Sequence, residues 1–168
     1  ENVTLDSETA NPCLVLSRDH KTVWFRDEER NLPDTPKRFT GSPSVLGSQG
    51  FTSGRHCWEV EVGNGNCWAV GVALESVQRK EWPSNEEKLW ALAVGWQFSY
   101  RAVCTSPVTL ELEEELQRIR VHLDYEAGQV TFYNAKNMTQ ILQLEATFTE
   151  KVFPYFQLWS QKAQIQLC

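Results

Sequence analysis

Hydrophobic and polar residues alternate with a period of two along several short stretches of the chain. "HCWEVEV" at 56–62 places its tryptophan and valines on one face and its glutamates on the other. "GNGN" at 63–66 then supplies residues that tolerate positive φ, and "CWAVGV" at 67–72 repeats the alternation. The pattern predicts a β-hairpin over 56–72.

The same pattern recurs in the second half of the chain. "IRVHLDY", "EAGQ" and "VTFYN" at 119–134 predict a second hairpin. Six further strands are expected at 13–17, 22–26, 89–94, 97–102, 141–144 and 154–159. Helical periodicity is nearly absent, so the sequence predicts an all-β chain folded as a β-sandwich.

Two polar stretches interrupt the strands. Residues 26–44 carry three prolines and dense charge, and 78–88 place Trp82 among polar neighbours, so both are expected to be surface loops. "LELEEEL" at 110–116 fits either a short acidic helix or a strand with a solvated face, because adjacent like charges stay hydrated. With no interdomain linker, residues 1–168 are expected to form a single domain.

Composition narrows the partners and the compartment. The chain has 168 residues and a net charge of −6, which argues against nucleic acid and against direct contact with an anionic membrane. No apolar run approaches the roughly 20 residues of a membrane helix, and the first residues lack signal-peptide features. Five cysteines without a C-x-x-C pair fit a reducing compartment, so a cytoplasmic location is expected. The sequons at Asn2 and Asn137 would matter only in a secreted chain.

No motif points to catalysis, a cofactor or a metal. Phosphate-binding loops, the G-x-S-x-G elbow and a helix-opening G-x-G-x-x-G are all missing from the sequence. His56 and Cys57 are adjacent in a strand, so their side chains diverge and cannot form a nucleophilic pair. The three histidines and five cysteines lack the local spacing of a zinc site. We therefore expect a non-enzymatic chain with no cofactor.

The aromatic residues divide into two groups. The alternation assigns five of them to the core: Trp58, Trp68, Trp90, Phe132 and Phe153. Others lie in or beside loops, and "GWQFSYR" at 95–101 is expected to place Trp96, Phe98 and Tyr100 on one face. Because exposed tryptophan and tyrosine bury a large area at low entropic cost, this second group indicates a binding module.

Several longer stretches carry a family resemblance. "VTLDSETANPCLVLSRDHKTV" resembles the PRY segment of PRY-SPRY domains, and "RFTGSPSVLGSQGFTSGRHCWEVEVGNGNCWAVGVALESVQRK", "LDYEAGQVTFYN" and "FPYFQLW" resemble the SPRY core. The resemblance implies a PRY segment at about 1–45, a SPRY core at about 46–168, and a bent, jelly-roll-type sandwich of two antiparallel sheets. It also implies a protein-interaction role within a tripartite-motif (TRIM) ubiquitin ligase or a butyrophilin tail.

In that family a shallow groove lined by variable loops takes a peptide or an exposed loop of a partner. Transferred to this sequence, the resemblance implies a floor of Ala69, Ala93 and Gly95. The apolar anchors are expected at Trp82, Trp96 and Trp159. Polar or mixed contacts are expected from Arg79, Tyr100 and Gln157.

An alternative is the phosphate-sensing face of certain butyrophilins, which uses converging histidines and basic residues. Here the cations near the predicted loops are Arg79, Lys80, Lys88 and Arg101. A phosphate cage needs several such donors together, whereas Ala69 removes one expected contact and the chain is acidic. The favoured expectation is a protein or peptide partner, with an oligomeric parent protein that raises weak single-site affinity.

Overall fold

The computed structural model describes residues 1–63, 65–83, 87–104, 107–112 and 114–168, with Phe98 described by its backbone only. Thirteen strands are found in these ranges, with one 3-10 turn at Trp96–Phe98 and no α-helix. The strands are β1 (Leu14–Leu16), β2 (Thr22–Phe25), β3 (Ser44–Leu46), β4 (Arg55–Glu61), β5 (Trp68–Leu74), β6 (Leu89–Val94), β7 (Tyr100–Val103), β8 (Val108–Leu110), β9 (Arg118–Asp124), β10 (Gln129–Asn134), β11 (Thr139–Glu145), β12 (Val152–Leu158) and β13 (Gln164–Leu167).

The strands form two antiparallel sheets. The seven-stranded sheet has the order β1-β2-β13-β4-β9-β10-β11, and the six-stranded sheet has the order β3-β12-β5-β6-β7-β8. One hydrophobic cluster takes side chains from both sheets, so their apolar faces pack against each other. The all-β class and the two-sheet sandwich expected from the sequence are confirmed.

The main core contains most of the aromatic residues that alternation assigned to it. Trp58, Trp68, Trp90 and Phe132 are each at most 3% exposed. Phe153 is different, because it is only partly buried and packs against a smaller cluster on the opposite face of the six-stranded sheet. The alternation was therefore correct about which strands are buried, but it did not predict that the six-stranded sheet is covered on both faces.

The hairpin predicted over 56–72 is wrong. β4 pairs with β9 and β13 in one sheet, whereas β5 pairs with β12 and β6 in the other. The segment between them carries the chain across the sandwich instead of joining two paired strands. Both strands turn their tryptophan and valines toward the same core, and a two-residue period is identical for neighbours in one sheet and for strands that face each other.

The hairpin predicted over 119–134 is confirmed, because β9 and β10 pair in register from Asp124 opposite Gln129. The strand expected at 97–102 is only partly correct. Trp96–Phe98 form a 3-10 turn with Gln97 at φ 61°, and the Gly95 amide donates to the Ser99 carbonyl at 2.9 Å before β7 begins. The turn breaks the alternation, so Trp96 and Tyr100 do not share a face, and the side chain of Phe98 lies outside the description.

Short strands account for the remaining differences. β3, β8 and β13 were not predicted, since three or four residues in a polar context give too little alternation to recognise. The acidic stretch 110–116 adopts neither expected form in its described residues, because β8 ends at Leu110.

Candidate partner-binding groove

The candidate groove lies on the outer face of the six-stranded sheet. Side chains there belong to a row that runs across four adjacent strands: Gln157 is opposite Ala69, Ala69 is opposite Ala93, and Ala93 is opposite Arg101. The chain neighbours Val70, Leu92 and Ala102 point the other way, into the main core. Two alanines at the centre of the row leave a shallow floor between a glutamine and an arginine.

A cavity of about 210 Å³ stands over this row. Its described lining consists of Trp82, Pro83, Leu89, Ala93, Arg101, Ala102, Val103, Pro107, Tyr155 and Gln157. Trp82 is 58% exposed, which makes it one of the most exposed large hydrophobic residues of the described chain. The walls are therefore mostly apolar, with one large side chain that is still accessible to a partner.

Two polar side chains remain without an internal partner among the described residues. Gln157 is 7% exposed, and its buried Nε2 has no hydrogen-bond acceptor there. Arg101 is exposed and lies beside Gly95, where a Cβ would be at an ordinary van der Waals distance of 3.8 Å from its Nη1. Neither group is used to hold the fold together.

The loop that carries Trp82 is fastened to the long polar segment that precedes β3. Lys80 Nζ donates to the carbonyls of Thr35 and Arg38 at 2.7 and 2.8 Å and pairs with Asp34. Arg79 donates to the carbonyls of Lys37 and Glu75, and its guanidinium lies 5.4 Å from the centre of the Phe39 ring. Burial lowers the pKa of Arg79. Arg79 is thus engaged in tying two loops together.

The polar segment itself covers part of the sheet. Phe39 packs with Leu46, Ala73, Leu89 and Tyr155 in the smaller cluster, and the rings of Phe39 and Tyr155 meet edge to face at 6.2 Å. The Tyr155 hydroxyl hydrogen-bonds to Ser44 Oγ at 2.6 Å, and Ser44 Oγ to Ser42 Oγ at 2.8 Å. Two members of this packed cluster, Leu89 and Tyr155, also line the cavity, so one side of the groove is well packed.

The nine residues proposed from the sequence are distributed unequally. Trp82, Ala93 and Gln157 line the cavity, and Ala69 lies between Gln157 and Ala93 in the row but is not among the described lining residues. Trp96 is 64% exposed on the 3-10 turn beyond Gly95, and Trp159 is half-buried at the end of β12; neither contributes to the cavity wall. Whether any of the nine contacts a partner remains a prediction.

Tyr100 requires a correction of position. Tyr100 is 4% exposed in the main core, and its hydroxyl accepts a hydrogen bond from the Leu116 amide at 2.9 Å, so it points away from the groove. The physical reason is the pairing of β6 with β7: Tyr100 lies directly opposite Val94, and opposite residues share a face, so Tyr100 points into the core as Val94 does. Arg101 follows Tyr100 in β7 and lies opposite Ala93, so it points outward, toward the groove.

The described residues also bear on metal binding and on the side chains of His56 and Cys57. No group of three or more His, Cys, Asp or Glu is placed to hold a metal ion there. His56 stacks on Phe51 at 3.8 Å and hydrogen-bonds to Glu1 and to the Ser53 carbonyl, while Cys57 lies opposite His122 as a free thiol. No helix in the described ranges is long and apolar enough to cross a membrane.

Comparison with known families explains this architecture. The model of the PRY family, described as SPRY-associated domain, matches residues 3–51, and that of the SPRY domain matches residues 55–168. The chain belongs to the PRY-SPRY family. PRY-SPRY domains are non-catalytic interaction modules, and in TRIM ligases catalysis lies in the separate RING domain.

The proteins to which the chain is similar include E3 ubiquitin ligases and a tripartite motif-containing protein. The chain is 47% identical over 170 residues to the E3 ubiquitin-protein ligase TRIM15 of Sus scrofa, covering 98% of this chain and 36% of that protein. It is 40% identical to tripartite motif-containing protein 10 of Mus musculus, with 99% and 35% covered. The chain thus spans about a third of the length of these relatives.

Two solved structures share the PRY-SPRY fold. The TRIM65 PSpry domain matches with a TM-score of 0.85 at 26% identity, covering 100% of this chain and 90% of that one. Stonustoxin also matches with a TM-score of 0.85, at 27% identity, covering 99% of this chain and 27% of that one.

Proposed function

We propose that this PRY-SPRY domain is the target-recognition domain of a TRIM-type ubiquitin ligase and that it takes an extended peptide or exposed loop of a target protein into the groove over Ala69 and Ala93. The observation that carries the proposal is the 58% exposed Trp82 on the wall of a mostly apolar cavity that Ala93 and Gln157 also line. The relatives named as E3 ligases support the ligase context.

Binding in this groove is favoured by the rigidity of its walls. Arg79 and Lys80, which lie three and two residues before Trp82, donate to backbone carbonyls of the covering segment. A wall that is already ordered loses little conformational entropy when a partner arrives, so more of the contact energy appears as affinity.

The phosphate-sensing alternative receives less support. Among the described lining residues Arg101 is the one cation, and no histidine lies there. A phosphate cage requires several charged donors that converge on one anion. We further propose a cytoplasmic location and an oligomeric parent protein, in which several copies of a weak site act together.

The test is a selection of proteome-derived peptides displayed on a surface, including free C-termini, against the wild-type domain and two variants. Trp82→Ala should weaken binding of the selected peptides by about 2 kcal/mol, or about thirtyfold, with the melting temperature nearly unchanged. Trp96→Ala is the matched control, because Trp96 is similarly exposed but lies outside the cavity wall.

If the selected peptides bind the Trp82→Ala variant and the wild-type domain with equal affinity, the proposal that they occupy this groove is refuted. If the folded domain enriches no peptide, a panel of phosphorylated metabolites is tested by thermal shift. A rise in melting temperature at millimolar ligand would support the phosphate-sensing alternative.

A further inference from the structure

The groove carries a charge pattern that differs from the rest of the molecule. The chain contains 22 acidic and 16 basic residues, yet the described lining of the cavity includes Arg101 and no carboxylate. The guanidinium of Arg101 has no described hydrogen bond or ion pair. An arginine of this kind presents a planar set of donors that matches a carboxylate in a bidentate arrangement.

The opposite end of the row offers a different donor. The amide of Gln157 is 7% exposed, and its Nε2 has no acceptor among the described residues. A buried donor without a partner costs about 1–3 kcal/mol. The terminal torsion of glutamine is broad and roughly two-fold, so the amide can turn its N–H groups toward the cavity. A backbone carbonyl of a bound peptide would then remove that cost.

The distance between the two donors limits the ligand. Gln157 and Arg101 are separated by three strand spacings, or about 14 Å between their Cα atoms. An extended peptide rises about 3.3 Å per residue, so about four residues span that distance. β5 and β6 are paired on both sides, which leaves no free strand edge beneath the cavity. The side chains of the domain must therefore recognise the peptide, because the peptide cannot pair with the sheet as an additional strand.

From these observations, and resting on the proposed function, we infer that the groove selects an acidic peptide: a carboxylate pairs with Arg101, a backbone carbonyl about four residues away accepts from Gln157, and an apolar side chain between them packs on Trp82. The carboxylate belongs either to an aspartate or glutamate side chain or to a free C-terminus.

The test uses peptides from the selection above, synthesised with an acidic residue or its amide (Asp→Asn, Glu→Gln), each with a free or an amidated C-terminus. Neutralising the recognised carboxylate should weaken binding to wild type about ten- to a hundredfold, as expected for a hydrogen bond to a charged group. The same change should have little effect on binding to Arg101→Gln. Arg18→Gln is the matched control, since it removes the same charge from the exposed turn between β1 and β2.

The side-chain and C-terminal arms identify the source of the carboxylate. Two results overturn this inference while the groove is retained as a peptide site, provided that Trp82→Ala still abolishes binding. In the first, Arg101→Gln does not change binding. In the second, neither neutralising the acidic side chain nor amidating the C-terminus changes binding. Binding that is insensitive to Trp82→Ala refutes the proposed function itself, so the two failures are distinct.

Gln157→Leu tests the other end of the row. Removing an unpaired buried amide in favour of an apolar side chain of similar volume should leave the melting temperature unchanged or raise it. The same variant should weaken peptide binding about tenfold. A fall in melting temperature together with a loss of binding would show that the amide supports the fold, and would overturn its assignment to the ligand.

Discussion

Replacing Tyr155 with phenylalanine should lower the free energy of unfolding at neutral pH. The difference from wild type should become smaller as the pH rises. The Tyr155 ring is fully buried, and its hydroxyl makes a 2.6 Å hydrogen bond to Ser44 Oγ. The substitution conserves the ring, so no large cavity forms, and Ser44 keeps its bond to Ser42. The cost is therefore that of one hydrogen bond, about 1 kcal/mol in the free energy of unfolding.

Alkaline pH reverses this difference. Burial raises the pKa of Tyr155 well above its ordinary value of 10.0, while hydrogen bonds from Ser44 and Ser42 partly oppose the shift. Above about pH 10 the unfolded chain loses this proton and the folded chain keeps it, so the wild type loses up to about 1.4 kcal/mol per pH unit. Tyr155→Phe lacks this loss. The two stability curves should meet near pH 10.7, where the wild type has lost about 1 kcal/mol.

The assay is urea unfolding followed by tryptophan fluorescence at a series of pH values from neutral to about 11. Other ionisations occur in both proteins and cancel in the difference. Ser44→Ala is the control, because it removes this hydrogen bond, together with the bond to Ser42, but keeps the phenol; its deficit should be larger at neutral pH and should not shrink as the pH rises. A Tyr155→Phe deficit that stays constant through this range would refute the reasoning, and a neutral-pH loss above about 3 kcal/mol would show that packing dominates.

Two further perturbations test the sandwich itself. Trp58→Ala should cost about 3–5 kcal/mol, since the ring is 3% exposed between the sheets; a variant that melts like wild type would contradict the packing described here. Trp58→Phe, which keeps an aromatic ring, should cost less. Glu59→Gln should lower stability at neutral pH, because burial alone would raise the pKa of Glu59 but hydrogen bonds from Arg120 and Arg118 lower it below 4.5. The stability from this depressed pKa is present above about pH 4.5 and lost as pH falls through the folded-state pKa, so the deficit of Glu59→Gln should disappear in acid titrations of unfolding. A deficit that persists at low pH would refute the ion-pair explanation.

The alternation of residues predicted the buried strands well and their partners poorly. Trp58 and Trp68 were correctly assigned to the core because a two-residue period depends only on which face is apolar. The same period cannot tell a neighbour in one sheet from a strand in the facing sheet, which is why β4 and β5 were mispaired. Pairing depends on long-range contacts that a local pattern does not contain.

The groove shows a similar division. The register places Ala69, Ala93 and Gln157 side by side on one face, and their contact with a partner stays a prediction. The inward direction of Tyr100 depends on the pairing of β6 with β7, which places it opposite Val94, and the alternation within 95–101 alone does not say which face is the core. Arg79 donates to the carbonyl of Lys37, which is 42 residues away in the sequence, and no local pattern reveals a contact at that distance.

The place of β13 has a consequence for how the domain is synthesised. β13 lies between β2 and β4 in the interior of the seven-stranded sheet, although most of the chain separates it from both. Until translation has passed Leu167, β2 and β4 each lack their neighbour and present open strand edges of the kind that promote aggregation. Such distant pairing also predicts slow folding. The edges of β2 and β4 that β13 covers therefore stay open to association with other strands until β13 is in place.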